Sequence, residues 1–139
     1  MTSFPYVDFT TVRVLLIDDE SYTRSIIRSQ LLNIGVRDIT EAGNGRDGLI
    51  EALRVRPHLI LCDVHMQPVN GLEFLVALRA QKIEAVRDTP VIYLTADAKS
   101  DVVLFAKEHK ANGYLVKPIS TAQLQAHIAA VADKIKAAK

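Results

Sequence analysis

The sequence predicts an α/β protein with a doubly wound, three-layer architecture. Five short apolar runs indicate strands and a helical pattern follows each of them, so strands and helices alternate strictly along the chain. Parallel neighbours in a sheet need long crossover connections, and this alternation supplies a helix for each. The strands are nearly continuous apolar runs, which is typical of a sheet covered by helices on both faces. With 139 residues, the chain has the length of one ordinary domain.

Local signals place these elements along the chain. Ser21 is predicted to cap the first helix, and Gly35, which tolerates a left-handed backbone, to end it. Pro57 stops the second helix, and Ser120 is expected to cap the last one. The predicted strands cover residues 12–17, 36–41, 58–62, 91–94 and 114–116. The predicted helices lie between Ser21 and Gly35, over 45–55, 71–81 and 99–110, and after Ser120.

Residues 1–11 precede the first strand and are predicted to form an arm, with the main domain over 12–139. The arm holds Phe4, Tyr6 and Phe9, in a chain that has only 4 Phe, 4 Tyr and no Trp. Disordered segments are usually poor in aromatic residues. We therefore expect the arm to pack either on the domain or on a partner, and the sequence does not choose between the two.

Composition and charge exclude several classes of function. The 17 basic residues are spread among 16 acidic ones, without the clustered basic excess of a nucleic-acid-binding protein. No stretch approaches the roughly 18 apolar residues of a membrane span, and no export signal opens the chain. The single cysteine, Cys62, allows neither an internal disulfide nor a cysteine-based zinc site, which suits a reducing compartment. We expect a cytoplasmic protein that binds neither nucleic acid nor membrane.

Polar side chains end four of the predicted strands. Asp18 and Asp19 follow the first, Asp63 the third, Thr95 the fourth and Lys117 the fifth. The carboxyl ends of parallel strands lie along one edge of the sheet, so these groups are expected to meet in one crevice. Carboxylates about 4 Å apart repel by about 4 kcal/mol at an effective dielectric of 20, which a small hard cation would offset. Mg²⁺ fits this set of oxygen ligands better than Ca²⁺.

The same crevice suits phosphoryl transfer. An Asp carboxylate can attack phosphorus to give an aspartyl phosphate, and the reaction needs mainly positioning and neutralisation of the phosphoryl oxygens. The Lys117 ammonium, the Thr95 hydroxyl and the backbone N–H of Ala96 could share that task with the metal. Each Asp taken alone could equally cap a helix or close a turn. The presence of all five polar residues at strand ends favours the functional interpretation.

Four segments of the sequence, in this order and at these spacings, resemble bacterial response-regulator receiver domains. They are LLIDDE at 15–20, LILCDVHMQPVNG at 59–71, VIYLTA at 91–96 and YLVKP at 114–118. The resemblance covers residues 12–135. It implies a stand-alone, chemotaxis-receiver-like protein with a (βα)5 flavodoxin-like fold. Its parallel strands would lie in the order 2-1-3-4-5, the order known for the chemotaxis receiver.

The resemblance also implies the metal ligands. It makes Asp63 the phosphoacceptor, and Asp18 and Asp19 the acidic pair that binds Mg²⁺. A carboxylate oxygen of Asp63 and the backbone carbonyl of His65 are expected to complete the protein ligands. The cofactor expected for this chain is therefore Mg²⁺.

Further roles follow from the same resemblance. Thr95 and Lys117 are expected to hold the phosphoryl oxygens. Tyr114 matches the aromatic residue whose rotamer changes together with Thr95. Pro118 follows the lysine at a place where the family has a cis peptide bond, which an X-Pro bond can adopt at low cost.

The chain departs from the family pattern near the phosphoacceptor. The family usually has Pro directly after the Met of this loop, whereas Gln67 follows Met66 here and Pro68 comes one place later. His65 stands two residues after Asp63 and Asp97 two residues after Thr95, at places that influence phosphoryl lifetime in such domains. A hydrogen bond between His65 and Asp97 across the pocket mouth is one hypothesis, and two independent solvated side chains are the alternative.

The expected function is that of a response regulator. Asp63 would accept a phosphoryl group from a sensor histidine kinase or a histidine phosphotransfer protein, and a phosphorylation-controlled surface would bind a downstream target protein. The alternative is a phosphorelay intermediate or phosphate sink without its own output. Beyond its own phosphorylation and dephosphorylation the chain is not expected to be an enzyme, and it is expected to be a monomer or weak homodimer.

Rival functions are less well supported. Residues 43–48 match the dinucleotide fingerprint G-x-G-x-x-G, but they follow the second strand, where a turn before the next helix explains them. A phosphatase would need an Asp-x-Asp pair, and the second residue after Asp63 is a His. A purely structural role leaves the combination of Asp63, Thr95 and Lys117 unexplained.

Overall fold

The structure is a computed structural model that describes residues 8–96 and 100–138, with side chains except at 100–102 and 133–138. Strands β1 to β5 cover Arg13–Ile17, Asp38–Ala42, Leu59–Asp63, Val91–Thr95 and Gly113–Val116. Within the described ranges, helices α1 to α6 cover Ser21–Ile34, Gly45–Val55, Gly71–Arg79, Glu84–Arg87, Ser100–Glu108 and Thr121–Ala138. A short 3-10 helix, Phe9–Thr11, precedes β1.

The five strands form one parallel sheet in the order β2-β1-β3-β4-β5. The predicted fold class and strand order are therefore confirmed. Ile17 lies opposite Cys62 in the β1–β3 pair, and Asp63 lies opposite Leu94 in the β3–β4 pair. This register brings the carboxyl ends of the three central strands to the same level.

Helices cover both faces of the sheet. Alternate residues of a strand point to opposite faces, so Leu16 packs with residues of α1 and α6, while Leu15 packs with residues of α2 and α3. All residues of β3 and β4 are buried, whereas the edge strands β2 and β5 keep exposed positions. The site at the ends of β1, β3 and β4 thus rests on the least accessible part of the domain.

Two predicted helix signals are confirmed. Gly35 ends α1 in the left-handed region, with φ of +117°, and its N–H donates to the carbonyl oxygens of Leu31 and Leu32. The hydroxyl of Ser120 accepts a hydrogen bond from the backbone N–H of Gln123 at 3.1 Å, as expected of an N-cap.

Some predicted boundaries are wrong. Ser21 does not cap α1, because it is already the first helical residue, and Glu20 at the N-cap position makes no side-chain cap hydrogen bond. The second strand begins at Asp38 instead of Val36, since the Val36 N–H still donates to Leu31 in the turn that ends α1. The one-turn helix α4 was not predicted.

Part of the predicted arm is described. The Asp8 carboxylate accepts the N–H of Thr10 at 3.0 Å and caps the 3-10 helix. Phe9 is buried in the core cluster that also contains Val12 and Leu31. Residues 1–7, with Phe4 and Tyr6, lie outside the described ranges, and the boundary between arm and domain at residue 12 stays a prediction.

Candidate functional site

The carboxyl ends of the strands gather four polar residues at one edge of the sheet. Asp63 and Thr95 end β3 and β4, while Asp18 and Lys117 directly follow β1 and β5. Asp18 and Thr95 have no exposed surface, and Asp63 is 6% exposed. The structure therefore brings together residues that the sequence predicted to share a crevice.

Every polar atom of Asp18 has a protein partner. Its N–H donates to the Ala42 carbonyl of β2 at 3.1 Å, and its own carbonyl accepts Nη1 of Arg24 at 2.6 Å. Oδ1 accepts the N–H of Glu20 at 2.9 Å, and Oδ2 accepts Nζ of Lys117 at 2.9 Å. These contacts hold a fully buried carboxylate in one orientation.

The Asp63 carboxylate is held by fewer contacts. Oδ1 accepts the N–H of Val64 at 2.9 Å and lies 3.5 Å from Nζ of Lys117, while Oδ2 accepts no hydrogen bond from any residue in the described ranges. Burial raises the pKa of Asp63 above its usual 3.8, and the negative charges of Asp18 and Asp19 add to the rise. Lys117 and the Val64 N–H oppose the rise only in part.

Lys117 is the cation of this pocket. Burial alone would lower its pKa, but the hydrogen bond to Asp18 and the charge of Asp63 outweigh it and raise the pKa above 10.5. The ammonium therefore stays charged at neutral pH. It neutralises only one of the two buried carboxylates beside it.

The turn after β3 depends on a close approach of two backbones. A Cβ atom on Gly71 would lie 2.2 Å from the carbonyl oxygen of Asp63, closer than real Cβ contacts allow. The Gly71 N–H donates to the Val64 carbonyl at 2.9 Å, and the Gly71 carbonyl accepts the hydroxyl of Tyr93 at 2.7 Å. Only glycine fits at this position, so the start of α3 can lie against the end of β3.

Acidic groups also line the rim of the pocket. Asp18, Asp19 and Glu20 place a carboxylate oxygen within 4.8 Å of one another, and the last two are exposed. Glu20 was not predicted as a site residue. Its signal in the sequence was a third successive acid, which also suits the first turn of any helix.

A cavity of about 280 Å³ opens beside these acids. Asp19 and His65, both exposed, line it. Its other lining residues come from the loop after β3 and are Met66, Gln67 and Asn70. The structure thus places two predicted site residues, Asp19 and His65, around one opening.

The end of β4 and the start of β5 hold the remaining predicted residues. Thr95 is buried and its carbonyl accepts the N–H of Lys117 at 2.7 Å, while Ala96 is exposed next to it. Tyr114 is 41% exposed on β5. Asp97 lies outside the described residues, so its hydrogen bond with His65 stays a prediction.

Two peptide bonds near the site are cis. The bond between Lys117 and Pro118 is cis, as the resemblance implied. The bond between Gln67 and Pro68 is also cis, which was not predicted. It lies in the loop where the sequence departs from the family pattern.

The glycine motif at 43–48 serves packing. The Asn44 side chain accepts the N–H of Asp47 at 2.9 Å and caps α2. A Cβ on Gly48 would lie 2.5 Å from Cδ1 of Ile17, so this glycine allows α2 to approach β1. These contacts account for the motif as the turn and helix start that the sequence suggested.

Comparison with known families matches residues 14–129 to the response regulator receiver domain. The chain belongs to this family. The chemotaxis protein CheY of Pseudomonas aeruginosa is 30% identical to this receiver domain over 124 residues, which are 89% of this chain and 98% of that protein. The family prediction, with its link to two-component signalling, is therefore confirmed.

Solved structures agree with the family. The chemotaxis protein CheY4 of Vibrio cholerae superposes with a TM-score of 0.79 at 30% identity, over 86% of this receiver domain and 98% of that chain. The receiver domain of the sensor histidine kinase PA1611 from Pseudomonas aeruginosa gives 0.79 at 29% identity, over 88% and 98%. That structure holds a magnesium ion in its active-site cleft.

The described helices are short or polar compared with a membrane span. None of those in residues 8–96 and 100–138 is both long and apolar enough to cross a bilayer.

Proposed function

We propose that this receiver domain accepts a phosphoryl group on Asp63 from a sensor histidine kinase or a histidine phosphotransfer protein. The phosphorylated form then binds a downstream target protein through a surface that includes Tyr114. Beyond its own phosphorylation and dephosphorylation the domain is not an enzyme. We also propose that it acts in the cytoplasm.

The observation that carries this proposal is the state of the Asp63 carboxylate. One oxygen is oriented by the Val64 N–H and Lys117, and the other accepts no hydrogen bond from the described residues. A carboxylate with one oxygen oriented and the other without a hydrogen bond to the described residues is suited to attack an electrophile. The Lys117 ammonium, 3.5 Å from Oδ1, lies where it can compensate the charge of an incoming phosphoryl group.

The chemistry of the donor set fits a magnesium ion. Asp19 and Glu20 present carboxylate oxygens at the rim, next to the buried Asp18 and Asp63. Burial raises the pKa of Asp63, and the charges of Asp18 and Asp19 add to the rise although Lys117 opposes it. A small hard cation that keeps several waters suits such a site.

We assign the protein ligands of Mg²⁺ to Asp18, Asp19, Asp63 and the backbone carbonyl of His65, with Glu20 close by. When bound, the ion supplies positive charge to the phosphoryl oxygens during transfer. In the structure both carboxylate oxygens of Asp18 already accept hydrogen bonds from the protein. Exposed Asp19 is therefore the carboxylate of the Asp pair that an ion reaches without breaking a bond.

The transfer forms one bond and breaks one. Oδ2 of Asp63 attacks phosphorus as the P–N bond of a phosphohistidine breaks, and the released imidazole keeps the electron pair and takes up a proton. With a small acyl phosphate as donor, a P–O bond breaks instead and a carboxylate leaves. Lys117, Thr95 and the backbone N–H of Ala96 stabilise the three phosphoryl oxygens in the product.

Phosphorylation adds about −1.5 to −2 charge at pH 7. Contacts to this charge draw Thr95 toward the phosphate, and Tyr114, which is 41% exposed, then turns inward on β5. To move a two-state equilibrium from 1:99 to 99:1, the phosphoryl contacts must favour the active state by about 5.5 kcal/mol. Hydrogen bonds to charged groups contribute about 1.5–3 kcal/mol each, so contacts from Lys117, Thr95 and the Ala96 N–H would together be of that order.

The first prediction tests the phosphoacceptor. Incubation with a small acyl phosphate and Mg²⁺ should give an acid-stable, base-labile label on the wild type and none on Asp63→Asn. Asp38→Asn is the matched control, because Asp38 is an exposed Asp at the start of β2, the opposite end of the sheet from the site, and it should be labelled like the wild type. Absence of a magnesium-dependent label on the wild type would refute the proposal.

The same phosphorylated protein distinguishes a switch that binds a target from a phosphorelay intermediate or phosphate sink. Hydrogen exchange is measured across β5 with and without phosphodonor. A change around Tyr114 supports a switch that binds a target. A label without any change there favours the phosphorelay or phosphate-sink alternative.

A further inference from the structure

Arg24 contacts the acidic turn from a helix that contributes no acid to it. Nη1 donates to the backbone carbonyl of Asp18 at 2.6 Å, and Nε donates to Oε1 of Glu41 at 3.0 Å. Glu41 belongs to β2, the neighbour of β1 in the sheet. The guanidinium therefore ties the end of β1 to the end of β2, and its side chain is only 21% exposed.

The main chain of Arg24 holds the same turn from the other side. Its N–H donates to the Glu20 carbonyl at 3.0 Å, in the first hydrogen-bonded turn of α1. Arg24 therefore holds the turn of residues 18–20 at both ends. Its side chain binds the Asp18 carbonyl, and its main-chain N–H binds the Glu20 carbonyl. This turn carries the exposed carboxylates of Asp19 and Glu20.

We propose that Arg24 is a positioning residue for the metal site. It fixes the carbonyl of Asp18 and thereby the direction in which the next two carboxylates leave the turn. This inference rests on the proposed Mg²⁺ site and names a part of it that lies outside the ligands. Partners that orient metal ligands commonly change metal affinity by about 10- to 100-fold.

The alternative role for Arg24 is simple electrostatics. A guanidinium next to three acids repels an incoming cation, so a charge-only role predicts that its removal tightens Mg²⁺ binding. A positioning role predicts the opposite, because carboxylates that lose their orientation bind the ion less well. The two roles therefore differ in the sign of one measurable change.

Arg28 provides the matched control. It lies one turn further along α1 and binds the same acid, with Nη1 at 3.2 Å from Oε2 of Glu41. Among the described contacts it has none with the turn of residues 18–20. Its removal takes away the same charge from the same neighbourhood without releasing Asp18.

The experiment is a titration with Mg²⁺ alone, followed by calorimetry and by the amide resonances of residues 18–20. Arg24→Gln should raise the Kd for Mg²⁺ about tenfold. Arg24→Lys keeps the charge but cannot span both acceptors, so it should also weaken binding. Arg28→Gln should leave the Kd within about twofold of the wild type or lower it.

Each outcome decides one point. Unchanged or tighter binding in Arg24→Gln, or full rescue by Arg24→Lys, overturns the inference and leaves a charge-only role. Lower stability in urea with an unchanged Kd also overturns it, because a purely structural role predicts that result. Absence of Mg²⁺ binding by the wild type instead refutes the proposed metal site, and with it the inference. If Arg24→Gln does not fold, Arg24→Lys still decides between the roles, because it keeps the charge and a charge-only role predicts an unchanged Kd.

Discussion

The floor of the pocket and its rim are held in different ways. The floor consists of Asp18, Asp63, Thr95 and Lys117, and the rim consists of Asp19, Glu20, His65 and Ala96. On the floor, Asp18 has a protein partner at every polar atom, and Lys117 binds it at 2.9 Å. On the rim, all four residues are exposed.

This difference separates residues that define the pocket from residues that adjust it. A buried charge or a backbone contact on the floor cannot change without affecting the folded state, because the strands on both sides are closely packed. An exposed side chain on the rim can change the reaction while the fold stays the same. Substitutions on the floor should therefore alter stability and phosphorylation together, and those on the rim phosphorylation alone.

The largest effect is expected where the floor touches α3. Gly71→Ala would place a Cβ atom 2.2 Å from the Asp63 carbonyl and 3.0 Å from Cα of Val64, and neither backbone atom can rotate away. We expect a loss of about 3 kcal/mol or more in the free energy of unfolding, at the upper end for overpacking. Urea unfolding measures it, and labelling of Asp63 should fall in parallel.

Gly43→Ala is the control for this substitution. The nearest atom to a Cβ at Gly43 is Nη1 of Arg24 at 3.8 Å, an ordinary contact distance. Its free energy of unfolding should stay within about 1 kcal/mol of the wild type. If Gly71→Ala unfolds at the same urea concentration as Gly43→Ala, the close approach does not constrain the floor.

A smaller effect on the free energy of unfolding is expected from the buried charge of Asp63. Burial raises the pKa of Asp63 above 3.8, so between that value and the raised pKa the folded protein binds a proton that the unfolded chain has lost. Stability therefore falls as the pH rises through this window, and the full penalty is present above it. Asp63→Asn has no such titration, so its stability relative to the wild type should grow from pH 3.5 toward neutrality.

The measurement is urea unfolding of both proteins across this pH range, with a chelator present. Asp38→Asn, at an exposed site on β2, is measured alongside as a variant at the opposite end of the sheet. Added Mg²⁺ should reduce the advantage of Asp63→Asn at neutral pH if the ion binds the wild-type carboxylate as proposed. A difference that is independent of pH would mean that Asp63 has the same pKa in both states.

The residues of the floor, and those of the rim except Glu20, were predicted from the sequence. Asp63, Thr95 and Lys117 stand out because each ends an apolar strand, and parallel strands bring their ends to one edge. The strand order came with the family resemblance, since apolar runs alone do not say which strands are neighbours. Glu20 was missed because an acid in a first helical turn has a sufficient local explanation.

Contacts between distant elements left no sequence signal. The bond from Arg24 to the Asp18 carbonyl depends on where α1 lies against β1 and β2, which no spacing encodes. Helix α4 has four residues, Glu84–Arg87, too few to show a helical period. These parts of the molecule follow from packing of the whole domain.

The smallest effect on stability is expected at the rim. His65 is exposed beside the cavity of about 280 Å³, so His65→Ala should change the free energy of unfolding by less than about 0.5 kcal/mol.

The same substitution tests the predicted hydrogen bond between His65 and Asp97. If the imidazole is hydrogen-bonded to Asp97, His65→Ala should change the dephosphorylation rate more than twofold. The rates of His65→Ala, Asp97→Asn and the double variant should then be non-additive, because both single changes remove one interaction. A rate within twofold of the wild type, or strictly additive effects, would mean that the two side chains act independently. The contrast between floor and rim would then hold for stability but not for the phosphoryl lifetime.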